Sequence, residues 1–205
     1  MKKLVLIFTL MASYSVAAQG DIDAGKLKAT TCVGCHGSDG NAIIGQYPKL
    51  AGQHADYLVK QLADYKLAVT SSGALGRSNA IMAGMAAALS ATDMADLGAY
   101  FSSLPISGNT TPENVIAIAE PLYRFGDSER GIAACIACHG PRGNGTSLSG
   151  FPKISGQNAE YIQLQLQAFR AGTRNNDLNA MMRSAAAKLS DDEISALSAY
   201  IGGLH

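Results

Sequence analysis

Two pentads of the form Cys-x-x-Cys-His are the residues most able to carry chemistry in this 205-residue chain. The first occupies residues 32–36 (CVGCH) and the second occupies residues 135–139 (CIACH), and together they contain all four cysteines. Cysteine pairs at this spacing occur in disulfides, in thiol-redox and zinc motifs, and at haem c attachment sites. The histidine and the surrounding sequence distinguish these possibilities.

Covalent haem attachment explains the histidine that follows each pair. A thioredoxin-like dithiol needs a strand before it and a βαβ setting, and neither segment supplies them. A zinc site needs two cysteine pairs that converge on one metal ion, whereas each pair here lies in its own repeat. Two thiols three residues apart lie on one side of a helical turn, where each can form a thioether to a haem vinyl group. The sequence therefore predicts two covalently bound haem c groups, attached at Cys32, Cys35, Cys135 and Cys138, with His36 and His139 as proximal iron ligands.

The sixth iron position needs a second ligand, and methionine is the best candidate for it. Counting back seven residues from Leu89 in the first repeat reaches Met82, and the same count from Leu189 in the second repeat reaches Met182. These two methionines share one register in both repeats. Met82 and Met182 are therefore the predicted axial ligands.

Other residues compete for that position less well. Met85 and Met181 have no methionine counterpart in the other repeat, so they are fallback candidates. Met94 has the spacing of a core residue. His54 corresponds to Asn158 in the second repeat, which disfavours a shared ligand role and predicts a surface helix residue instead.

An internal repeat covers nearly all of the chain after residue 18. The segment YPKLAGQHADYLVKQL, which begins at residue 47, matches FPKISGQNAEYIQLQL, which begins at residue 151. The segment rich in Gly, Pro, Thr and Asn between the copies is typical of a linker. We therefore predict two homologous domains, 19–106 and 112–205, joined by a linker at 107–111.

Both repeats have the periodicity of helices, and neither has a convincing alternating strand. Helices are predicted around 21–31 and 113–125, before the cysteine pairs. The last helix of each repeat opens with a capping signature, Ser-x-x-Asp from Ser90 and Ser-x-x-Glu from Ser190. Domains of this size have few apolar side chains for a core, so each helical domain is expected to wrap around one haem.

Two pairs of residues are candidates for contacts around the haem groups. Pro48 follows His36 and Pro152 follows His139 at similar separations, so their carbonyls could accept the proximal imidazole N–H and orient the ring. Each proline could equally serve as a turn before a helix. Arg77 and Arg174 precede the methionines and could pair with haem propionates, or they could be exposed.

The first eighteen residues have the features of a secretory signal peptide. Lys2 and Lys3 precede an apolar run that is shorter than the roughly 20 residues of a membrane span, and small residues end at Ala18. We therefore predict cleavage and a periplasmic location. The formal net charge is zero and no basic tract is present, which argues against nucleic-acid binding.

The tandem pentads, the PKLAGQ and PKISGQ segments, the methionine register and the YIGGLH ending together resemble the dihaem cytochrome c4 family. The resemblance covers essentially the whole chain after residue 18. It implies an all-α fold of two tandem class I cytochrome c domains, related by a pseudo-twofold axis, and it places haem attachment and axial ligation on the eight residues predicted above.

The same resemblance implies a periplasmic carrier of single electrons, with possible peripheral attachment to the membrane. Its partners would be a quinol-oxidising donor or a dehydrogenase and, as acceptor, a terminal oxidase of a respiratory chain. Two alternatives remain open from the sequence. One is the dihaem subunit of a periplasmic dehydrogenase, and the other is a small haem peroxidase, which would need an iron without a methionine ligand.

Overall fold

The two halves of the chain contain the same succession of five helices. The computed structural model describes residues 20–205, and the predicted signal peptide lies outside the described residues. The first half contains α1 (Ile22–Lys28), α2 (Val33–His36), α3 (Ala55–Thr70), α4 (Ala80–Ala87) and α5 (Ala91–Ser103). The second half contains α6 (Glu113–Phe125), α7 (Ile136–His139), α8 (Ala159–Arg170), α9 (Met181–Ala186) and α10 (Asp191–Gly202). Residues 20–205 form isolated β-bridges but no strand, which confirms the all-α prediction.

The last helix of each half begins with the capping box that the sequence predicts. The hydroxyl of Ser90 accepts a hydrogen bond from the N–H of Asp93, whose carboxylate accepts the N–H of Ser90 in return. Ser190 and Glu193 repeat this arrangement at the start of α10. Each box satisfies N–H groups that have no partner within the helix, and so it fixes where the helix begins.

The first helix of each half packs against the last. Helix α1 contacts α5, and α6 contacts α10. The approach of α1 to α5 depends on Gly25, because a Cβ atom at this position would lie 2.1 Å from the carbonyl oxygen of Asp96. These helix pairs bury Leu97 and Tyr100 in the first half, and their counterparts Leu197 and Tyr200 in the second.

The second half has an additional polar turn between α6 and the cysteines. Asp127 and Ile132 close this turn with reciprocal backbone hydrogen bonds. Arg130 donates to Asp127 and, with two guanidinium nitrogens, to both carboxylate oxygens of Glu193 at 2.6 and 3.1 Å. These hydrogen bonds connect the additional turn of the second half to the first turn of α10.

The segment between the halves is ordered by contacts with both of them. The side chain of Asn41 donates to the Pro105 carbonyl and accepts the N–H of Ser107. The side chain of Asn109 donates to the Gly156 carbonyl at 3.1 Å. The Lys49 ammonium, which belongs to the first half, donates to the carbonyl of Ser107 at 2.8 Å. Among the helices of residues 20–205, none combines the length and the apolar character that crossing a membrane requires.

Candidate haem sites

Both pentads open into one cavity of about 1290 Å³ that runs across the interface between the halves. Pockets for single small ligands usually measure about 300–1,000 Å³, so this cavity has room for more than one. Its walls include all eight residues predicted to attach haem or to bind iron: Cys32, Cys35, His36, Met82, Cys135, Cys138, His139 and Met182. Helices α3 and α8 contribute aromatic and aliphatic side chains to these walls: Tyr57, Leu58, Leu62, Tyr65, Tyr161, Ile162, Leu166 and Phe169.

The two pentad histidines are buried, and each is held by a proline carbonyl. His36 Nδ1 lies 2.9 Å from the Pro48 carbonyl oxygen, and His139 Nδ1 lies 2.9 Å from that of Pro152. A carbonyl can only accept, so Nδ1 carries the proton in both rings and Nε2 keeps its lone pair. Burial lowers the pKa of both histidines, against the opposing effect of these hydrogen bonds. Both rings are therefore neutral and oriented, as metal ligands are.

None of the four cysteines forms a disulfide within residues 20–205. Burial raises the pKa of Cys32, and it raises that of Cys135 to about 11. A raised pKa disfavours the thiolate that zinc binding and thiol-redox catalysis both require. Within the described range, no group of three or more His, Cys, Asp or Glu side chains is placed to hold a metal ion.

The helices that carry Met82 and Met182 are each anchored at their first turn by a side chain. Asn79 Oδ1 accepts the N–H of Met82 at 2.9 Å. In the second half, Asp177 accepts the backbone N–H of Arg183 at 2.9 Å and its Nε–H at 2.8 Å. Met82 and Met182 are half-buried on the cavity wall.

The fallback methionines Met85 and Met181 also line the cavity, but each is 40 % exposed. Met94 is buried in the core, as its spacing predicts. The prediction for His54 was wrong in its placement. This residue precedes α3 rather than lying within it, and its Nε2 lies 2.9 Å from the Asn144 carbonyl of the other half.

Arg77 and Arg174 are both buried, which contradicts the alternative that they are exposed. Arg77 donates to Gln61 of its own half and to Gln165 of the other half. Arg174 mirrors this pattern, since it donates to Gln165 of its own half and to Gln61 across the interface. Each guanidinium also donates to a tyrosine hydroxyl of the opposite half, those of Tyr161 and Tyr57 respectively.

The partners of these two guanidinium groups within residues 20–205 are all neutral side chains. The positive charges act on the tyrosine between them. Burial alone would raise the pKa of Tyr161, yet the nearby Arg77 and Arg174 lower it. Buried cations are normally paired with anions, and both guanidinium groups line the cavity. The cavity therefore suits a ligand that carries carboxylates.

The chemistry of the cavity fits two haem c groups. It presents two thiol pairs, two neutral imidazoles with Nε2 lone pairs, and thioether sulfurs on the anchored helices α4 and α9. It also supplies apolar walls for a macrocycle and buried cations for propionates. The repeat places one thiol pair, one histidine and one matched methionine in each half.

Comparison with known proteins agrees with this donor set. The cytochrome c family model matches residues 22–105 and 131–205. Cytochrome c4 of Azotobacter vinelandii is 47 % identical over 205 residues, which cover 98 % of this chain and 97 % of the relative. The chain belongs to the cytochrome c4 family. It is accordingly an electron-transfer protein, not an enzyme, with two covalently bound haem c groups.

Other comparisons extend this result. The crystal structure of reduced recombinant cytochrome c4 from Pseudomonas stutzeri superposes with a TM-score of 0.88 at 45 % identity, and the match covers 91 % of this chain and all of that one. The fold is thus two tandem class I cytochrome c domains. A thiosulfate dehydrogenase electron acceptor from Thiomonas intermedia is 37 % identical, over 98 % of this chain and 90 % of the relative.

The glutamines that join the two halves of this cytochrome c4 family member were not among the predicted site residues. Gln53, Gln61, Gln157 and Gln165 all form hydrogen bonds across the interface. The sequence does contain a sign of their importance, because each glutamine recurs at the same place in the matched segments that begin at residues 47 and 151. A buried glutamine that both repeats retain needs a polar partner.

Proposed function

We propose that this chain is a periplasmic carrier of single electrons that passes them from a respiratory donor towards a terminal oxidase. The observation that carries the proposal is the shared cavity, in which each half contributes a thiol pair, a proximal histidine and a matched methionine. Haem iron supplies one-electron oxidation and reduction when it is bound. The chain's own residues supply attachment, orientation and burial.

Each half is proposed to hold its haem with equivalent residues. Cys32 and Cys35 attach the first group and Cys135 and Cys138 attach the second. His36 and His139 bind iron through Nε2, because Pro48 and Pro152 occupy Nδ1. The remaining axial positions belong to Met82 and Met182. With both axial positions filled by protein there is no vacancy for peroxide, which disfavours the peroxidase alternative.

The exposed residues at the cavity rim are the proposed contact surface for redox partners. Ile81 and Met85 of the first half line the cavity, and both are exposed. Leu178 and Met181 of the second half also line the cavity and are exposed. A partner that packs against these side chains would bring its redox group to the cavity edge. Such an interface is small, and it suits a transient encounter.

A second candidate, the acceptor of a periplasmic dehydrogenase, is favoured by one specific observation. The relative from Thiomonas intermedia is named as an electron acceptor of thiosulfate dehydrogenase, and it matches nearly the whole of this chain. The two candidates differ in the donor, whereas the carrier chemistry is common to both.

Electron transfer to and from purified partners tests the proposal. The reduced protein should be oxidised by membranes that contain a terminal oxidase, and cyanide should abolish this reaction. Cell fractionation should place the protein in the periplasm. If the membranes leave it reduced while thiosulfate and its dehydrogenase reduce the oxidised protein rapidly, the dehydrogenase acceptor is correct and the oxidase pathway is wrong.

A further inference from the structure

Two glutamines at the interface contact the peptide groups that hold the proximal histidines. The Pro48–Lys49 peptide accepts from His36 Nδ1 through its carbonyl. The N–H of the same peptide, which belongs to Lys49, donates to Gln157 Oε1 of the other half at 2.7 Å. An unbroken chain of hydrogen bonds therefore runs from His36 to a side chain of the opposite half.

The second half has the same arrangement with the roles exchanged. His139 Nδ1 bonds to the carbonyl of the Pro152–Lys153 peptide, and the Lys153 N–H donates to Gln53 Oε1 at 3.0 Å. Gln53 and Gln157 occupy the same position in the repeat. The chain of hydrogen bonds that begins at each proximal histidine therefore ends at a glutamine of the other half.

Both glutamines are fixed in place by further hydrogen bonds. Gln157 Nε2 donates to the Lys49 carbonyl at 2.9 Å, and Gln53 Nε2 donates to the Lys153 carbonyl at 2.8 Å. Each glutamine amide therefore forms hydrogen bonds with both the backbone N–H and the backbone carbonyl of one lysine in the opposite half. Gln53, Gln157 and Lys49 are buried. In an environment of low dielectric, consecutive hydrogen bonds polarise and strengthen one another.

We propose that Gln157 and Gln53 are positioning residues that each tune, across the interface, the proximal histidine of the opposite half. An amide oxygen that accepts from the Lys49 N–H makes the Pro48 carbonyl more negative. That carbonyl then accepts a stronger hydrogen bond from the His36 Nδ1–H. As a result, Nε2 of the imidazole becomes a stronger electron-pair donor to iron. A stronger donor favours Fe(III), so Gln157 lowers the reduction potential of the first half's haem. Gln53 does the same for the second half.

The proposal rests on the proposed function, because it requires His36 and His139 to be iron ligands. Proton NMR of the full holoprotein tests that requirement separately. In the oxidised wild-type protein, the ring protons of His36 and His139 should show the hyperfine shifts of groups bound to iron, alongside two exchange-protected Nδ1–H signals. If these ring protons lack hyperfine shifts, the ligand assignment is wrong, whatever the glutamines do.

Gln157→Leu is the direct test of the tuning itself. The potential of each haem is followed in a redox titration through its haem methyl resonances, assigned to one half or the other. The potential of the first half's haem should rise, its His36 Nδ1–H signal should move upfield, and the second half should keep its wild-type values. Gln53→Leu should produce the reverse pattern.

A control separates tuning from simple loosening of the interface. Asn158→Ala removes two hydrogen bonds across the same interface, to the carbonyls of Ala42 and Tyr47, without touching the Pro48–Lys49 peptide. This variant should leave both Nδ1–H signals in place. If Gln157→Leu moves both haems equally, moves only the second, or moves neither, the tuning across the interface is disproved.

Discussion

Arg77 and Arg174 donate to the same amide oxygen, that of Gln165, at 2.7 and 2.9 Å. One guanidinium comes from each half, and both are buried. Two cations that meet at one neutral acceptor repel each other, and a nearby anion would offset this repulsion. This relationship supports the proposed placement of haem propionates beside the arginines, at the interface between the halves.

Removal of one of these charges should lower a haem potential. A positive charge near iron stabilises the ferrous state, because Fe(II) carries one positive charge fewer than Fe(III). Arg77→Met should therefore shift the midpoint potential downward. Arg77→Lys keeps the positive charge but loses the planar guanidinium group, so it should shift the potential less. A redox titration of both variants checks this. Equal potentials in all three proteins would show that no redox centre senses this side chain.

The capping boxes should contribute measurably to stability. Ser190→Ala removes the hydroxyl that accepts the Glu193 N–H at the start of α10, and it should reduce the free energy of unfolding by about 1 kcal/mol. Ser90→Ala should have a similar effect on α5, because the two boxes have the same geometry. Urea denaturation followed by circular dichroism provides the measurement. Substitution of the exposed Ala187 by serine is a control that should have little effect.

Acid should release the methionine of the second half before that of the first. Burial would raise the pKa of Asp177, but hydrogen bonds from the backbone and guanidinium of Arg183 lower it below its usual value near 3.8. The anchoring of α9 is therefore complete at neutral pH and is lost as the pH falls through this lowered pKa. Asn79, which anchors α4, does not titrate in this range.

This difference is measurable from the far-red methionine–Fe(III) absorption during an acid titration. About half of the band should disappear first, in a step centred below the usual aspartate value of 3.8. In Asp177→Asn, the amide oxygen can still accept a hydrogen bond but does not titrate, so the early step should vanish. An early step that persists in this variant would assign the acid sensitivity to another group.

The architecture and the cofactor chemistry could be predicted because they depend on residues close together in the sequence. The pentads, the capping boxes and the register of Met82 and Met182 are all local patterns, and the repeat displays each of them twice. The proline carbonyls beside His36 and His139 were also predicted, and the structure shows both hydrogen bonds.

The interface between the halves was not predictable in the same way. Arg77 and Tyr161, or Lys49 and Gln157, are separated by 84 and 108 residues, and no periodicity relates such pairs. The contact of His54 with the Asn144 carbonyl, 90 residues away, was not predictable for the same reason. Haem attachment by the four cysteines, iron ligation by the two histidines and two methionines, and the linker boundaries at 107–111 remain predictions.

The central claim is that each half carries one haem whose axial ligands are a histidine and a matched methionine. The far-red absorption of the oxidised protein, quantified per haem, tests it most directly. The wild-type band should correspond to two methionine-ligated haems, and Met82→Ala and Met182→Ala should each halve it. Met85→Ala and Met181→Ala are matched controls and should leave it intact. A wild-type protein with only one such haem or none would contradict the claim and restore the possibility of a catalytic haem.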